Sequence, residues 1–160
     1  MTRTMAREIA IQLGFAAAAT GESPEEVVRR FFEEEHYATL KAEDELYQDL
    51  PSEKQREYIL RLLTLIDGHR EEIDEEIRRY ARGWKLERIS KTALAVLRCA
   101  LCEILYMDDI PDAAAINEAV ELAKGYDEPD TVSFINGVLG AFVRGETAGN
   151  AEAAGARPED

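Results

Sequence analysis

The sequence is poor in the residue types that build metal centres and disulfides. It contains two cysteines, Cys99 and Cys102, and two histidines, His36 and His69, among 160 residues. A structural zinc site needs four ligands at characteristic spacings, which these positions do not supply. The apolar residues around the cysteines predict a buried helix, so we expect two buried thiols rather than a redox pair or half of a zinc site.

Motifs that identify the common enzyme classes are also missing. The chain has no phosphate-binding GxxxxGK[ST] loop, no GxGxxG, no HExxH and no GxSxG. Its many carboxylates stand mostly at positions expected of solvated helix faces. Nothing in these residues points to catalysis, so we expect a protein that is not an enzyme and that uses no metal and no cofactor.

Long apolar runs are absent as well. No stretch approaches about 18 consecutive apolar residues, and the first residues of the chain lack the apolar core of a signal peptide. These two absences predict a cytoplasmic protein that makes no contact with membranes.

Positive charge is scarce and unevenly distributed. There are 19 basic residues against 33 acidic ones, and the net charge of −14 argues against a broad nucleic-acid-binding surface. Residues 77–98, however, hold seven basic residues and one acidic residue. Because physiological salt screens charges more than about 8–10 Å apart, this local excess can still contact a phosphate backbone or a partner. The candidate patch consists of Arg82, Lys85, Arg88 and Lys91, whereas Arg78 and Arg79 are expected to pair with nearby acids.

The remaining pattern is helical almost throughout, without β-branched runs of period two. Ser23 and Glu26 form a capping box around Pro24 at the start of the second helix. Residues 1–145 are expected to form one domain, and the composition of residues 146–160 predicts a disordered tail. The predicted helices cover roughly residues 4–19, a segment from 24 that becomes irregular by 43–49, 52–67, 69–82, 91–107, 112–125 and 130–145.

The connections between the predicted helices contain residues with expected structural roles. Trp84, Leu86 and Ile89 are expected to anchor a connection onto the core, and Ser90 and Asp112 to cap the helices that follow them.

Two asparagines and one arginine interrupt otherwise apolar helices. Asparagine is a poor helix former and needs hydrogen-bond partners when it is buried. For Asn117 we expect a buried hydrogen bond that locks the last two helices together. For Arg98 we expect a buried ion pair or cap, with Glu103 as the nearest acid in sequence.

Six segments, taken together, resemble the NusB family of bacterial transcription antitermination factors over about residues 3–144. The most specific are residues 116–124, INEAVELAK, and residues 134–139, FINGVL. The others are residues 6–12, 84–89, 97–104 and 109–111. The resemblance implies an all-α fold of about seven helices in two helical subdomains.

The resemblance also implies binding rather than catalysis. Members of the family bind the boxA sequence of nascent RNA together with the ribosomal protein NusE. That complex helps RNA polymerase to read through terminators, notably in ribosomal RNA operons. The implied partners are boxA-type single-stranded RNA, NusE and the RNA polymerase antitermination complex, and a homodimer is left open.

The resemblance places RNA-binding residues in the first and last helices. The family has a cluster of arginines at the start of its first helix, and this sequence keeps only Arg3 and Arg7. We therefore expect RNA binding by the protein alone to be weak. Phe15 matches an aromatic position later in the same helix. Single-stranded RNA stacks on aromatic side chains at about 1–3 kcal/mol per base, although burial in the core is the alternative for Phe15 and for Phe134. The matching positions at the start of the last helix are Asp130, Ser133, Phe134 and Asn136.

Two other functions remain open at the level of sequence. The first is an acidic protein–protein adaptor of the same fold with weak or lost RNA binding, which the net charge favours. The second is a stand-alone relative of the NusB-like domain that precedes ribosomal-RNA cytosine methyltransferases. The long α/β domain of those enzymes is not among these 160 residues.

Overall fold

The computed structural model describes residues 3–33 and 52–153, with side chains as far as residue 145. These residues form seven α-helices and one short 3-10 turn and contain no β-strand, which confirms the expected all-α fold. None of these helices is long and apolar enough to cross a membrane. The helices are α1 (Arg3–Thr20), α2 (Pro24–Phe31), α3 (Glu53–Gly68), α4 (Arg70–Tyr80), α5 (Lys91–Tyr106), α6 (Asp112–Tyr126) and α7 (Pro129–Ala153), with the 3-10 turn Leu86–Arg88 between α4 and α5.

The chain divides into two compact units, Met1–Arg70 and Glu71–Asp160. In the N-terminal unit, α1 packs against both α2 and α3, and α2 packs against α3. In the C-terminal unit, α5, α6 and α7 all pack against one another. Two helical units agree with the two subdomains that the resemblance implies.

Small residues on α1 bring the helices of the N-terminal unit close together. Ala6 and Ala10 are fully buried beside Ile9, and Leu13 continues the same face. Apolar residues at these helical spacings form one stripe, which must be covered by a neighbouring helix. The buried stripe of α3 supplies that cover and consists of Tyr58, Ile59, Leu62, Leu63 and Ile66.

Local capping sets where α2 and α3 begin. The Ser23 hydroxyl accepts the backbone N–H of Glu26 at 3.2 Å, and the Glu26 carboxylate accepts the N–H of Ser23 at 3.2 Å. Ser52 and Gln55 repeat this exchange at the start of α3, at 3.1 and 2.8 Å. Each box satisfies amides that lack partners inside the helix. The predicted capping box at Ser23 is confirmed.

Helix α5 is the most buried element of the C-terminal unit. Its buried residues include Leu97, Leu101 and both cysteines, which are free thiols as expected. Helix α6 presents small residues to the unit's core, and α7 presents larger ones, so that the helices interdigitate. The buried residues are Ala115, Ala119, Leu122 and Ala123 on α6, and Ile135, Val138, Leu139 and Phe142 on α7.

A bidentate ion pair joins α5 to α4. The guanidinium of Arg98 donates from Nε to Asp74 Oδ1 at 2.8 Å and from a terminal nitrogen to Oδ2 at 2.9 Å. The ion pair predicted for Arg98 therefore exists, but its acid is Asp74 rather than Glu103. The two partners lie 24 positions apart, a distance that helix periodicity does not reveal.

Three predicted boundaries differ from the structure. Asp112 is the first residue of α6, and Pro111 takes the cap position without a side-chain hydrogen bond. Helix α7 begins at Pro129 and continues to Ala153, beyond the end predicted near Gly145. No proline interrupts residues 145–153, although Gly149 lowers the helix propensity of this stretch. The disorder predicted for residues 146–160 stays a prediction, and residues 43–49 and 154–160 lie outside the described residues.

Removing the guanidinium of Arg98 should destabilise the protein measurably. We expect Arg98→Ala to lower the free energy of unfolding by about 2 kcal/mol, because the buried Asp74 loses two charge-assisted hydrogen bonds. Urea denaturation measures the change. The control is Arg79→Ala, which breaks an exposed ion pair with Glu76 and should cost no more than about 0.5 kcal/mol. Equal costs for the two variants would contradict the structural role given to Arg98.

Candidate nucleic-acid interface

Two aromatic rings meet at the surface of the C-terminal unit. Trp84 follows α4, and Phe134 lies in the second turn of α7. Their ring centroids are 5.1 Å apart, and the ring planes are inclined by 49°. Trp84 is 52% exposed, and Phe134 is partly exposed. We call these two residues the aromatic pair.

Trp84 was expected to anchor the connection between α4 and α5 onto the core, and this prediction is wrong. The anchor is Ile89, which is buried, whereas Leu86 is only partly covered. Gly83 has a φ of +77°, a conformation that side-chain-bearing residues rarely adopt, and it turns the chain sharply after α4. The next amide, that of Trp84, donates to the carbonyl of Ala81 at 3.1 Å. The turn therefore holds the indole outside the core.

The basic residues around Trp84 are solvent-exposed. Arg82, Lys85, Arg88 and Lys91 are all exposed; we call residues 82–91 the basic segment. Lys85, Arg88 and Lys91 make no ion pair with any carboxylate in the described ranges 3–33 and 52–145. No carboxylate of these ranges therefore neutralises their charge.

The two arginines that precede this segment behave differently. Arg78 pairs with Glu75 at 3.1 Å, and Arg79 pairs with Glu76 at 3.5 Å. Both pairs join residues three positions apart on α4, so the expectation of a charge-balanced helix face is confirmed. Arg78 and Arg79 are exposed basic residues, like those of the basic segment. Their charge, however, is neutralised by the neighbouring glutamates.

One carboxylate ties the start of α5 to the turn before α7. Asp127 Oδ1 accepts the hydroxyl of Ser90 at 3.3 Å and the hydroxyl of Thr92 at 3.0 Å. The oxygen of Ser90 also accepts the N–H of Ala93 at 3.1 Å, which confirms Ser90 as the N-cap of α5. We call these contacts the Asp127 clasp. A carboxylate at a helix N-terminus is favoured by the partial positive charge there.

The Asp127 clasp connects the basic segment to the start of α7, the helix that carries Phe134. Ser90 is next to Ile89, which anchors the end of the basic segment, and Asp127 comes two residues before Pro129, the start of α7. The contacts among Ser90, Thr92 and Asp127 therefore help to set the position of Phe134 relative to the basic segment. The sequence did not reveal these contacts of Asp127, because its partners lie 35 and 37 positions away.

The first turns of α7 present a polar strip beside Phe134. Asp130, Ser133 and Asn136 are exposed, while Ile135 is fully buried. Residues three and four positions apart share a helix face, so Asp130 and Ser133 lie on the same side as Phe134. Asn136, two positions after Phe134, faces a different side of α7, so the helix brings together Asp130, Ser133 and Phe134 but not Asn136.

The second predicted site lies at the start of α1. The guanidinium carbon of Arg3 is 4.5 Å from the centre of the Tyr58 ring, and that of Arg7 is 5.7 Å from it. Arg7 is only 5% exposed, Arg3 is partly exposed, and Phe15 is 37% exposed. Tyr58 therefore holds both arginines by cation–π contacts. RNA contacts by Arg3, Arg7 and Phe15 stay a prediction.

The expected role of Asn117 is wrong. Asn117 is exposed on α6, on the side opposite to Ala115 and Ala119, so it does not form a buried hydrogen bond between the last two helices. Asn136 is exposed as well. An exposed asparagine finds its partners in water and needs none inside the protein.

Comparison with known proteins identifies the family. The model of the NusB family matches residues 4–144. The chain belongs to the NusB family. A relative from Acetivibrio thermocellus, a transcription antitermination protein NusB, is 42% identical over 144 residues, which are 90% of each chain. The matched span contains the aromatic pair, the basic segment and the Asp127 clasp.

Solved NusB structures share the fold. NusB from T. maritima superposes with a TM-score of 0.72 and 27% identity, over 90% of this chain and 92% of that one. A crystal structure of the antitermination factors NusB and NusE in complex with double-stranded RNA gives a TM-score of 0.68 over 89% of this chain and 96% of that one. At 22% identity, the second match shows the fold alone.

Loss of the Asp127 clasp should loosen the start of α7. We expect Asp127→Ala to lower the free energy of unfolding by about 1–2 kcal/mol, because two hydroxyls lose their acceptor. We also expect a changed emission of Trp84, the chain's single tryptophan, because its contact with Phe134 depends on where α7 begins. Glu128→Ala, at the exposed neighbouring position, is the control and should change neither quantity. The role of the clasp would be refuted if the two variants behaved alike.

Proposed function

We propose that this NusB-family protein is a transcription antitermination factor that binds boxA-type single-stranded RNA together with NusE. In this role it supports read-through by RNA polymerase, notably in ribosomal RNA operons, and it acts in the cytoplasm, where bacterial transcription takes place. Family membership supports the proposal, as does the name of the Acetivibrio thermocellus relative. The solved complex of NusB and NusE with RNA is a structural precedent for the partners.

The observation that carries the proposal is local positive charge beside exposed aromatic rings. The chain has a net charge of −14, yet Lys85, Arg88 and Lys91 are exposed and pair with no carboxylate of the described residues. Trp84 and Phe134 lie beside them. Cations that bind phosphates and rings that stack on bases are the two elements of single-strand recognition.

The small number of exposed basic residues also explains why tight RNA binding would require NusE. Affinity for single-stranded RNA rises with the number of phosphates that basic residues neutralise. Arg7 is buried against Tyr58, so few cations of α1 face solvent. We therefore expect weak RNA binding by the protein alone and tighter binding when NusE supplies further contacts.

An acidic adaptor that has lost RNA binding is the second candidate. The buried position of Arg7 and the overall negative charge favour it. An adaptor would bind NusE with the same affinity whether or not RNA is present. The leading proposal instead requires that RNA and NusE strengthen each other's binding.

Charge removal in the basic segment tests the leading proposal. In the presence of NusE, we expect the double variant Lys85→Ala/Arg88→Ala to bind boxA RNA more weakly than wild type. The slope of log affinity against log salt should fall by about 1.4, since each phosphate contact contributes about 0.7 for single strands. Fluorescence anisotropy of labelled RNA over a salt series measures both quantities.

The matched control is Arg78→Ala/Arg79→Ala, which removes the same charge from arginines that are already paired with glutamates. This control should retain nearly wild-type affinity and salt slope. Equal losses in both double variants would mean that only net charge matters. No binding of wild type with NusE at low salt would sink the RNA-binding proposal in favour of the adaptor.

A further inference from the structure

Trp84 is the most exposed large apolar side chain among the described residues that carry side-chain information, 3–33 and 52–145. It is 52% exposed, compared with 37% for Phe15 and for Tyr126. A tryptophan normally contributes to stability by burying its large surface. Here the left-handed turn at Gly83 holds the ring outside the core. The contact with Phe134 covers part of the ring, and about half of the indole stays open to solvent.

We propose that Trp84, supported by Phe134, is a stacking residue that binds an unpaired base of single-stranded RNA. This inference rests on the function proposed above and deepens it. It assigns a role to a side chain that sequence analysis had placed in the core.

The geometry of the aromatic pair leaves the indole accessible. Phe134 contacts Trp84 at an inclination of 49° rather than lying flat upon it, and about half of the Trp84 surface stays open. The contact with a ring on α7 restricts the motion of the indole. A ring already held in place loses less conformational freedom when it binds a base.

The backbone after Trp84 brings two cations close to the tryptophan in one tight turn. The N–H of Arg88 donates to the carbonyl of Lys85 at 2.9 Å, which closes the 3-10 turn Leu86–Arg88. In a 3-10 turn, side chains three positions apart are eclipsed, and the rise between them is about 6 Å. Lys85, the residue that precedes this turn, and Arg88, its last residue, are therefore held close together immediately after the tryptophan.

RNA fits this combination better than an acidic peptide does. Both ligands supply negative charge to Lys85 and Arg88, but every unpaired nucleotide of RNA adds a flat aromatic face that stacks on an indole, whereas a glutamate or aspartate side chain adds none. Duplex RNA keeps its bases stacked inside the helix, so it offers the charge without the free base. The occupant is therefore an unpaired nucleotide with its flanking phosphates.

Two substitutions separate stacking from apolar bulk. Trp84→Phe keeps an aromatic face, whereas Trp84→Leu keeps an apolar side chain without one. With NusE present, we expect Trp84→Leu to weaken binding of single-stranded boxA RNA by about 5- to 150-fold. Trp84→Phe should retain most of the affinity. Both variants should keep the wild-type salt slope, since no phosphate contact is lost, and both should stay folded, with a small loss of melting temperature where the contact with Phe134 is weakened.

The intrinsic fluorescence of Trp84 gives a direct readout, because the chain has a single tryptophan. The same titration with the Trp84→Phe complex provides the blank for any emission from NusE. Single-stranded boxA RNA should quench the emission of Trp84, while a duplex of the same sequence and polyglutamate should leave it nearly unchanged.

Each outcome bears on the proposal. If wild type binds RNA with NusE, but Trp84→Leu binds equally well and emission is not quenched, the stacking role is overturned and the proposed function stands. Equal quenching by polyglutamate or by duplex RNA would also overturn it. If wild type does not bind RNA at all, the proposed function and the stacking role fail together.

Discussion

The candidate interface depends on a single carboxylate that holds the start of α7 against the start of α5. Asp127 Oδ1 accepts hydroxyl protons from Ser90 and Thr92, and Pro129 begins the helix that carries Phe134. These two hydrogen bonds tie the turn between α6 and α7 to the start of α5 through side chains. With the Asp127 clasp in place, an aromatic ring on α7 meets an indole on the connection between α4 and α5.

Charge pairing decides which basic residues can reach a ligand. Arg78 and Arg79 are neutralised by glutamates on α4, Arg98 is committed to Asp74, and Arg7 is buried against Tyr58. Lys85, Arg88 and Lys91 are exposed and form no ion pair with a carboxylate in the described ranges 3–33 and 52–145. An acidic protein can thus present a short cationic surface, and the small number of available cations explains why a second protein would be needed for tight RNA binding.

The features that the sequence predicted correctly are those encoded by neighbouring residues. The capping box at Ser23, the N-cap at Ser90 and the end of α4 before Gly83 depend on contacts within a few positions. Helical periodicity likewise predicted the buried cysteines of α5, because apolar residues surround them in sequence.

The features that the sequence did not reveal depend on contacts between distant elements. The partner of Arg98, the acceptor of Ser90 and Thr92, and the contact between Trp84 and Phe134 each join separate helices or loops. Trp84 was misassigned because its residue type suggests burial, while its position is set by the backbone turn at Gly83. Asn117 was misassigned for a similar reason, since helical register places it on the solvent side of α6.

The most direct test of the central claim is ultraviolet cross-linking of boxA RNA to the protein in the presence of NusE, followed by mass-spectrometric mapping. The account predicts RNA adducts on the peptide that contains Trp84 or on the peptide that contains Phe134. Efficient cross-linking with adducts on neither peptide would contradict the claim that the aromatic pair and the basic segment form the RNA-binding surface.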